Sequence, residues 1–453
     1  MKNEQLGSGG KLSRLFVTGI LLGVGVLEPL WAGEHAYGLG YTAVHSDNIT
    51  RGSSNERSDW IHSLLAGYAY QEHTIDLVAH VLAQATYSHY QKNSFGDETL
   101  FDLNSSAVWT ISPQRFLWTL EDSYQQGLVD STGVDTPANR TNVNVLSTGP
   151  DVYLRLTPVH TLAFGARAGD VYTGRANADN KRFSGTAAWL YQSSSITTLS
   201  LNYQTLDVRY ENSTLNSDFT SEDVFFRTDF HPSRSQYILD LGATHINFDR
   251  GDDVSGTLAR LSWIRQSTPE SSFGASVSKE FSNTGANVLA ANAAAIPASG
   301  TTGGTGAMSR QASIITGDVY TTKGGNIFYS HRGSQFGVNF QAEKRKLDFE
   351  TTPQDRKETT TRLQVSYFFM GTTTATLLTE YARAEYINIG LRNTDRNTEI
   401  RIDHHLNRTV SLGLEGSHHD RTSTDSLSSY VDNRILLTVL YSSGPLFAPL
   451  LRR

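Results

Sequence analysis

Residues 361–369 read TRLQVSYFF, and their alternation limits what this chain can become more than any other feature. Leu363, Val365, Tyr367 and Phe369 share one parity, while Arg362, Gln364 and Ser366 take the other. In a strand the two parities point to opposite faces, so one face is apolar and the other polar. The pattern returns from about residue 36 to residue 442 in segments of roughly ten to sixteen residues, among them TIDLVAHVLAQATYSHY (74–90), TTLSLNYQTL, SEDVFFRTDF, QFGVNFQAEKRKL and TEIRIDHHL. A helical stripe would place its apolar residues three and four apart, and these segments do not. No apolar run reaches the 18 or so residues that a helical membrane span requires. The fold class is all-β.

The connections between segments come in two kinds that alternate along the chain. One kind is short, as in SPQR (112–115), TPVH (157–160), HPSRS (231–235), RGS (332–334) and NRT (407–409). The other is longer and more polar, as in NITRGSSNERS, GLVDSTGVDTPANRTN, ENSTLNSDFT, TTPQDRKE and HHDRTSTDSLSS. This layout predicts a transmembrane up-and-down antiparallel β-barrel of about 20 strands, 18 also being compatible, with short turns toward the periplasm and long loops outside the cell.

Large aromatics flank the short turns: Trp109, Phe116 and Trp118, then Phe230 and Tyr237, then Trp263 and Phe273. Phe328, Tyr329 and Phe336 bracket RGS, and Tyr367 to Phe369 precede GTTT (371–374). Amphipathic rings favour the boundary between headgroup and hydrocarbon, so the set reads as an aromatic girdle and lipid is expected to cover the apolar face. A soluble propeller would show blade repeats, and none is visible.

The polar parity then faces the inside. The expected pore-lining residues are Arg227, Asp229, Asp240, Glu343, Arg345, Arg362, Gln364, Glu399, Arg401, Asp403 and Glu415. A dry core would not hold so many ions, because an unpaired buried charge costs several kcal/mol. Water is therefore expected inside. Counting outward from the turns sets Arg401 opposite Glu415 and Arg227 opposite Asp240.

Composition excludes several alternatives. Only 38% of the 453 residues are hydrophobic, too few for helical spans, and a net charge of -7 without a strongly basic stretch argues against a nucleic-acid partner. There is no cysteine, hence no disulfide or thiolate metal site. Lys2, Lys11 and Arg14 precede the apolar stretch Leu15 to Leu27, which predicts a signal peptide over 1–33 with cleavage near Ala32 or Gly33. The barrel is expected over 34–442 and a tail over 443–453.

Chemical constellations are weak. His404-His405 and His418-His419 resemble metal ligands, but the register holds them about six residues, or ~20 Å, apart along the ladder. SHRGS (330–334) and SHHD (417–420) have hydrolase residue types without convergence, and GTTGGTG (300–306) lacks the Lys and helix of a phosphate loop. No catalytic residue, metal or cofactor is expected. The longest connection, about 282–313, holds the uncharged, Ala-rich piece ANVLAANAAAIPASGTTGGTGA, whose NVLAANAAA stretch is expected either to fold toward the mouth and narrow it or to stay a floppy outer loop.

The segment YGLGYTAVHSDNITR, the STGPDVYLRLTPVHTLAFG hairpin and the paired-hairpin layout resemble the β-barrel porins associated with bacterial exopolysaccharide and PEP-CTERM (exosortase) systems. The resemblance implies an outer-membrane protein of diderm bacteria connected with export of a surface polysaccharide. Its implied partners are outer-membrane lipid, the barrel-assembly machinery and a polysaccharide. One departure is the ending: such barrels finish on an aromatic residue, whereas here Tyr441 is followed by SSGPLFAPLLRR. The expected function is a channel for hydrophilic solutes or an exopolysaccharide chain. The alternative is an assembly barrel with a blocked lumen that binds surface polysaccharide or a secretion partner.

Overall fold

The computed structural model describes residues 33–174, 177–286, 288 and 316–444. The expected signal peptide lies outside the described residues except for Gly33, and the tail except for Ser443 and Gly444. Among the described residues there are twenty strands. They begin with β1 (Glu34–Ser46), β2 (Asp59–His73), β3 (Leu77–Tyr90), β4 (Glu98–Ser112) and β5 (Phe116–Leu128). Then come β6 (Arg140–Arg155), β7 (His160–Tyr172), β8 (Asn180–Ser194), β9 (Thr197–Tyr210) and β10 (Phe219–Phe230). The next five are β11 (Ser235–Phe248), β12 (Val254–Thr268), β13 (Ser271–Ser282), β14 (Tyr320–Arg332) and β15 (Phe336–Phe349). The last are β16 (Arg356–Phe369), β17 (Thr373–Tyr386), β18 (Leu391–His405), β19 (Val410–Ser423) and β20 (Tyr430–Ser442).

Each strand pairs antiparallel with its neighbours in sequence, and β20 returns to β1 with Gly38 opposite Ser442 and Ser46 opposite Arg434. The sheet therefore has no free edge. Closure lets the backbone groups of the wall bond from strand to strand all the way round, the condition for crossing hydrocarbon with strands. Among the described residues no helix is long and apolar enough to cross a membrane. The β6–β7 ladder is interrupted between the Thr148–Ala168 and Asp151–Gly165 pairs, where Pro150 has no N–H to donate.

The two parities separate as the alternation predicts. One face carries a belt of exposed aliphatics in which Leu39, Leu64, Val277, Ile400 and Ile435 are all more than half exposed. An apolar surface running round the whole wall is far larger than a soluble monomer tolerates, and lipid satisfies it. At the short-turn end the girdle forms as side-by-side rings: Phe230 and Tyr237 are 5.9 Å apart, Tyr237 and Trp263 6.2 Å, and Trp263 and Phe273 5.1 Å. Two expected members differ. Phe328 pairs with Gln341 and Phe368 with Thr374 on the opposite parity, so both leave the girdle, and the Arg332 guanidinium lies 5.2 Å from the Phe368 ring. Adjacent strand residues cannot share a face, which the run of aromatics conceals.

A further difference is at HHDRTSTDSLSS, read as a loop. Strand β19 continues to Ser423, because Arg421 is held on the inner face by Asp395 of β18. Among the described residues there is no single apolar core. Small apolar clusters sit at the loop end, such as Ala178, Val208, Tyr210, Phe219, Ile246 and Val319, and another, of Ala36, Ala69 and Leu440, at the short-turn end.

Candidate functional site

The connection from β5 to β6, residues 129–139, turns into the barrel. Arg356 Nη1 of β16 donates to Ser131 Oγ at 2.8 Å, and the Tyr386 hydroxyl of β17 donates to the Ser131 carbonyl at 2.6 Å. Asn393 Nδ2 of β18 donates to the Thr132 carbonyl at 3.0 Å, and Arg421 Nη1 of β19 to the Gly133 carbonyl at 2.9 Å. These strands stand across the ring from β5 and β6, so the loop reaches them only through the interior. The contacts thereby identify the inward face, the parity of Arg356, Tyr386, Asn393 and Arg421, and show a strap crossing the mouth.

The strap is tied at both ends. At its neck Asn139 accepts from the Asp130 N–H at 2.9 Å and donates to the Asp130 carbonyl at 2.8 Å and the Val134 carbonyl at 3.1 Å. Asp135 pairs with Arg140 at 2.7 Å, and its carbonyl accepts from Arg51 Nη1 at 2.9 Å. Arg51 belongs to the β1–β2 loop, where it adopts a φ of 51°, a region that suits few residues other than glycine. Asn48 holds that turn by donating to the Gly52 carbonyl at 2.9 Å. From there Arg51 also reaches Asp432 of β20 at 3.6 Å. Tyr430 lies between Arg51 and Arg421, its ring 5.5 and 5.8 Å from their guanidinium carbons.

A second segment leans inward on the other side of the mouth. Asn283 accepts from Arg182 Nη1 of β8 at 2.7 Å, and Val288 packs against Val143, Val145 and Val171 of β6 and β7. The NVLAANAAA stretch expected to narrow the mouth lies outside the described residues except for Val288. The strap at 129–139 is the element that sequence reasoning passed over as an ordinary outer loop. No spacing within GLVDSTGVDTPANRTN records where its carbonyls go.

Below the mouth, charges of both signs form ladders on the inward parity. Arg227 grips Asp240 with two hydrogen bonds of 2.7 and 2.8 Å, the register pair set by the turn between β10 and β11. Arg260 of β12 adds a contact of 3.3 Å to the same carboxylate and one of 2.7 Å to Glu280 of β13. Their guanidiniums flank the Phe225 ring at 5.5 and 5.8 Å. Two strands further round the ring Arg345 pairs with Glu358, which Arg356 also holds at 2.7 Å, and Glu343 stands 3.8 Å from Arg345. Arg401 binds Asp403 at 2.9 Å and lies 3.7 Å from Glu415, its register partner.

The other expected residues take separate positions. Asp229 turns to His231, at 2.5 Å, near the short-turn end. Glu399 accepts from Asn397 at 2.5 Å, Gln364 lies 3.5 Å from Ser366, and Arg362 stands opposite Glu380. Sequence reasoning missed Arg260, Glu280, Glu358, Asp395 and Arg421, although each carries the same signal, a charge on the polar parity.

The stretch 356–442, which is β16 to β20, matches the family described as "Putative beta-barrel porin 2". Among solved structures the chain is similar to OccK2 (OpdF) of Pseudomonas aeruginosa, with 9% identity, 91% of this chain and 98% of that one covered, and a TM-score of 0.37. It is similar also to the FrpB iron transporter (F5-1 variant) of Neisseria meningitidis, with 10% identity, 90% and 82% covered, and a TM-score of 0.46. OpdK of Pseudomonas aeruginosa gives 9% identity, 90% and 98% covered, and a TM-score of 0.34. No curated protein matches the sequence. The edgeless wall and its apolar outer belt define a β-barrel of the bacterial outer membrane, whose last five strands are similar to a porin family.

Proposed function

We propose that this barrel is a passive channel for hydrophilic solutes, with a polar lumen of mixed charge and a mouth narrowed by the 129–139 strap. The path is lined by Arg227, Asp229, Asp240, Glu343, Arg345, Arg362, Gln364, Glu399, Arg401, Asp403 and Glu415, most of them neutralised in ladders. Because both signs occur along the wall, neither anions nor cations are strongly favoured. The observation that carries this reading is the strap itself: Ser131, Thr132 and Gly133 bonded to β16–β19 across a wall whose inward face is charged. It subdivides the opening, which suits small solutes better than a polymer. Passage of an exopolysaccharide chain, which the family resemblance implies, requires the strap to leave its clasp.

The same strap favours a second reading, an assembly barrel whose mouth is shut and whose loops hold a surface polymer or a secretion partner. Planar bilayers separate the two. Steady conductance steps from the full chain, blocked by added oligosaccharide, support the channel; silence from both the full chain and a variant lacking the strap overturns it.

A further inference from the structure

On the outer surface the register assembles a feature that alternation alone does not predict. At the loop end of the wall, Lys279 of β13 stands directly opposite Lys323 of β14, Lys323 opposite Lys346 of β15, and Lys346 opposite Lys357 of β16. All four are on the parity of Val277 and Ile327, the exposed apolar belt, and lie beyond it toward the loops. Like charges directly opposite in neighbouring strands repel, so a row of four is disfavoured unless something anionic lies over it.

The wall itself supplies too little. Asp348 serves two of the four, at 3.2 Å from Lys323 and 2.5 Å from Lys346. Glu385, opposite Lys357 on β17, is already engaged by Arg383 and, at 3.2 Å, by Arg392. Lys279, Lys357 and the neighbouring outward Lys344 form no ion pair among the described residues. The same rim on β2 to β5 is aromatic instead, with Trp60, Tyr87, Phe101 and Tyr124 on the outward parity. Elsewhere on the rim, where Lys181 stands opposite Arg209, Asp207 and Asp249 pair with Arg209, so the row on β13–β16 differs in having fewer carboxylates than cations.

We infer that the outer wall of β13–β16 at its loop end docks the phosphate groups of a phosphorylated glycolipid in the outer leaflet. The position fits that chemistry: a row at the upper edge of the apolar belt lies at headgroup depth, where long lysine stems lie along apolar surface while the ammonium groups reach the interface. Four adjacent strands span about 14 Å, enough for two phosphates on one sugar backbone. Acyl chains of the same molecule would lie down the belt past Val277 and Ile327. The inference is independent of whether the lumen conducts.

The test uses the full chain, folded in detergent, titrated with bisphosphorylated lipid A and with the same lipid after phosphatase treatment, bound lipid being counted by native mass spectrometry. The phosphorylated lipid is expected to bind and the dephosphorylated form to bind about a hundredfold more weakly, and the triple variant Lys279→Gln, Lys344→Gln, Lys357→Gln to lose about as much. Equal binding of both lipids, or an unchanged triple variant, overturns the inference. Displacement of the lipid by inorganic phosphate at matching concentration also overturns it, since the site would then be one for free phosphate. Should the triple variant not fold, salt decides on the unaltered chain: raising it from about 0.05 M to about 0.5 M must release phosphorylated lipid selectively, and retention overturns the docking.

Discussion

Gly133 and Arg421 are separated by 288 residues, yet the Gly133 carbonyl accepts a 2.9 Å hydrogen bond from Arg421 Nη1 across the barrel mouth. The same guanidinium is clamped to Asp395 at 2.6 and 3.1 Å, so its direction is set by β18 before the strap arrives. A strap held by donors already fixed in the wall is expected to be a stable obstruction. Leu128 and Arg140 remain register partners at its base, so a two-residue Asn-Gly turn can replace residues 129–139 without disturbing β5 or β6. That variant is expected to raise single-channel conductance and admit larger neutral sugars, with liposome swelling as the second readout. Unchanged conductance would place the narrowest point elsewhere.

Asp240 makes a separate prediction. Its carboxylate is 1% exposed and lies between Arg227 and Arg260, which are 42% and 32% exposed. Asp240→Asn keeps the shape and removes the charge, leaving two guanidiniums facing the lumen. The expected result is a reversal potential shifted toward anions in a salt gradient. A loss of about 1–3 kcal/mol in urea unfolding from detergent should accompany it, partly screened because the arginines meet water.

The two walls show what was legible in the sequence and what was not. Strands, their parities and the Arg227–Asp240 and Arg401–Glu415 pairs follow from counting outward from a short turn, because hairpin partners are close in sequence. Arg260 meets Asp240 across the outer connection 249–253, which a count from the short turns does not cross. The strap's contacts with Tyr386, Asn393 and Arg421 join a loop to strands more than two hundred residues away through backbone carbonyls, which every residue possesses. Side-chain pattern carries no information about them. The Lys279 to Lys357 row needed three successive registers, including the one across the longest connection.

Gly242 tests how tightly the inner wall is fitted. A Cβ there would stand 2.0 Å from the Val224 carbonyl oxygen and 2.5 Å from Phe225 Cβ, and Phe225 is the 2%-exposed ring between Arg227 and Arg260. Gly242→Ala must push the β10 backbone or the ring aside. An overpacking cost of about 1–3 kcal/mol is expected, together with a change in conductance as the two arginines shift. Gly416, where a Cβ would meet nothing within 4 Å, is the matched control, and Gly416→Ala is expected to be near neutral.

The last prediction bears on which face meets lipid. Leu437 and Thr438 are neighbours near the middle of β20, and Leu437 is 51% exposed on the belt while Thr438 stands opposite Gly413 and Thr42 on the inward parity. A lysine on a lipid-facing strand position near the bilayer midplane costs roughly 2–4 kcal/mol, and one facing a hydrated lumen costs little. Leu437→Lys is therefore expected to lower the urea midpoint for folding into lipid vesicles strongly, and Thr438→Lys only slightly, while the second alone adds positive charge to the lumen and moves ion selectivity toward anions. The contrast comes from one peptide step along one strand, so propensity and depth nearly cancel between the two variants. Equal costs, or the reverse order, would mean that acyl chains do not cover this face.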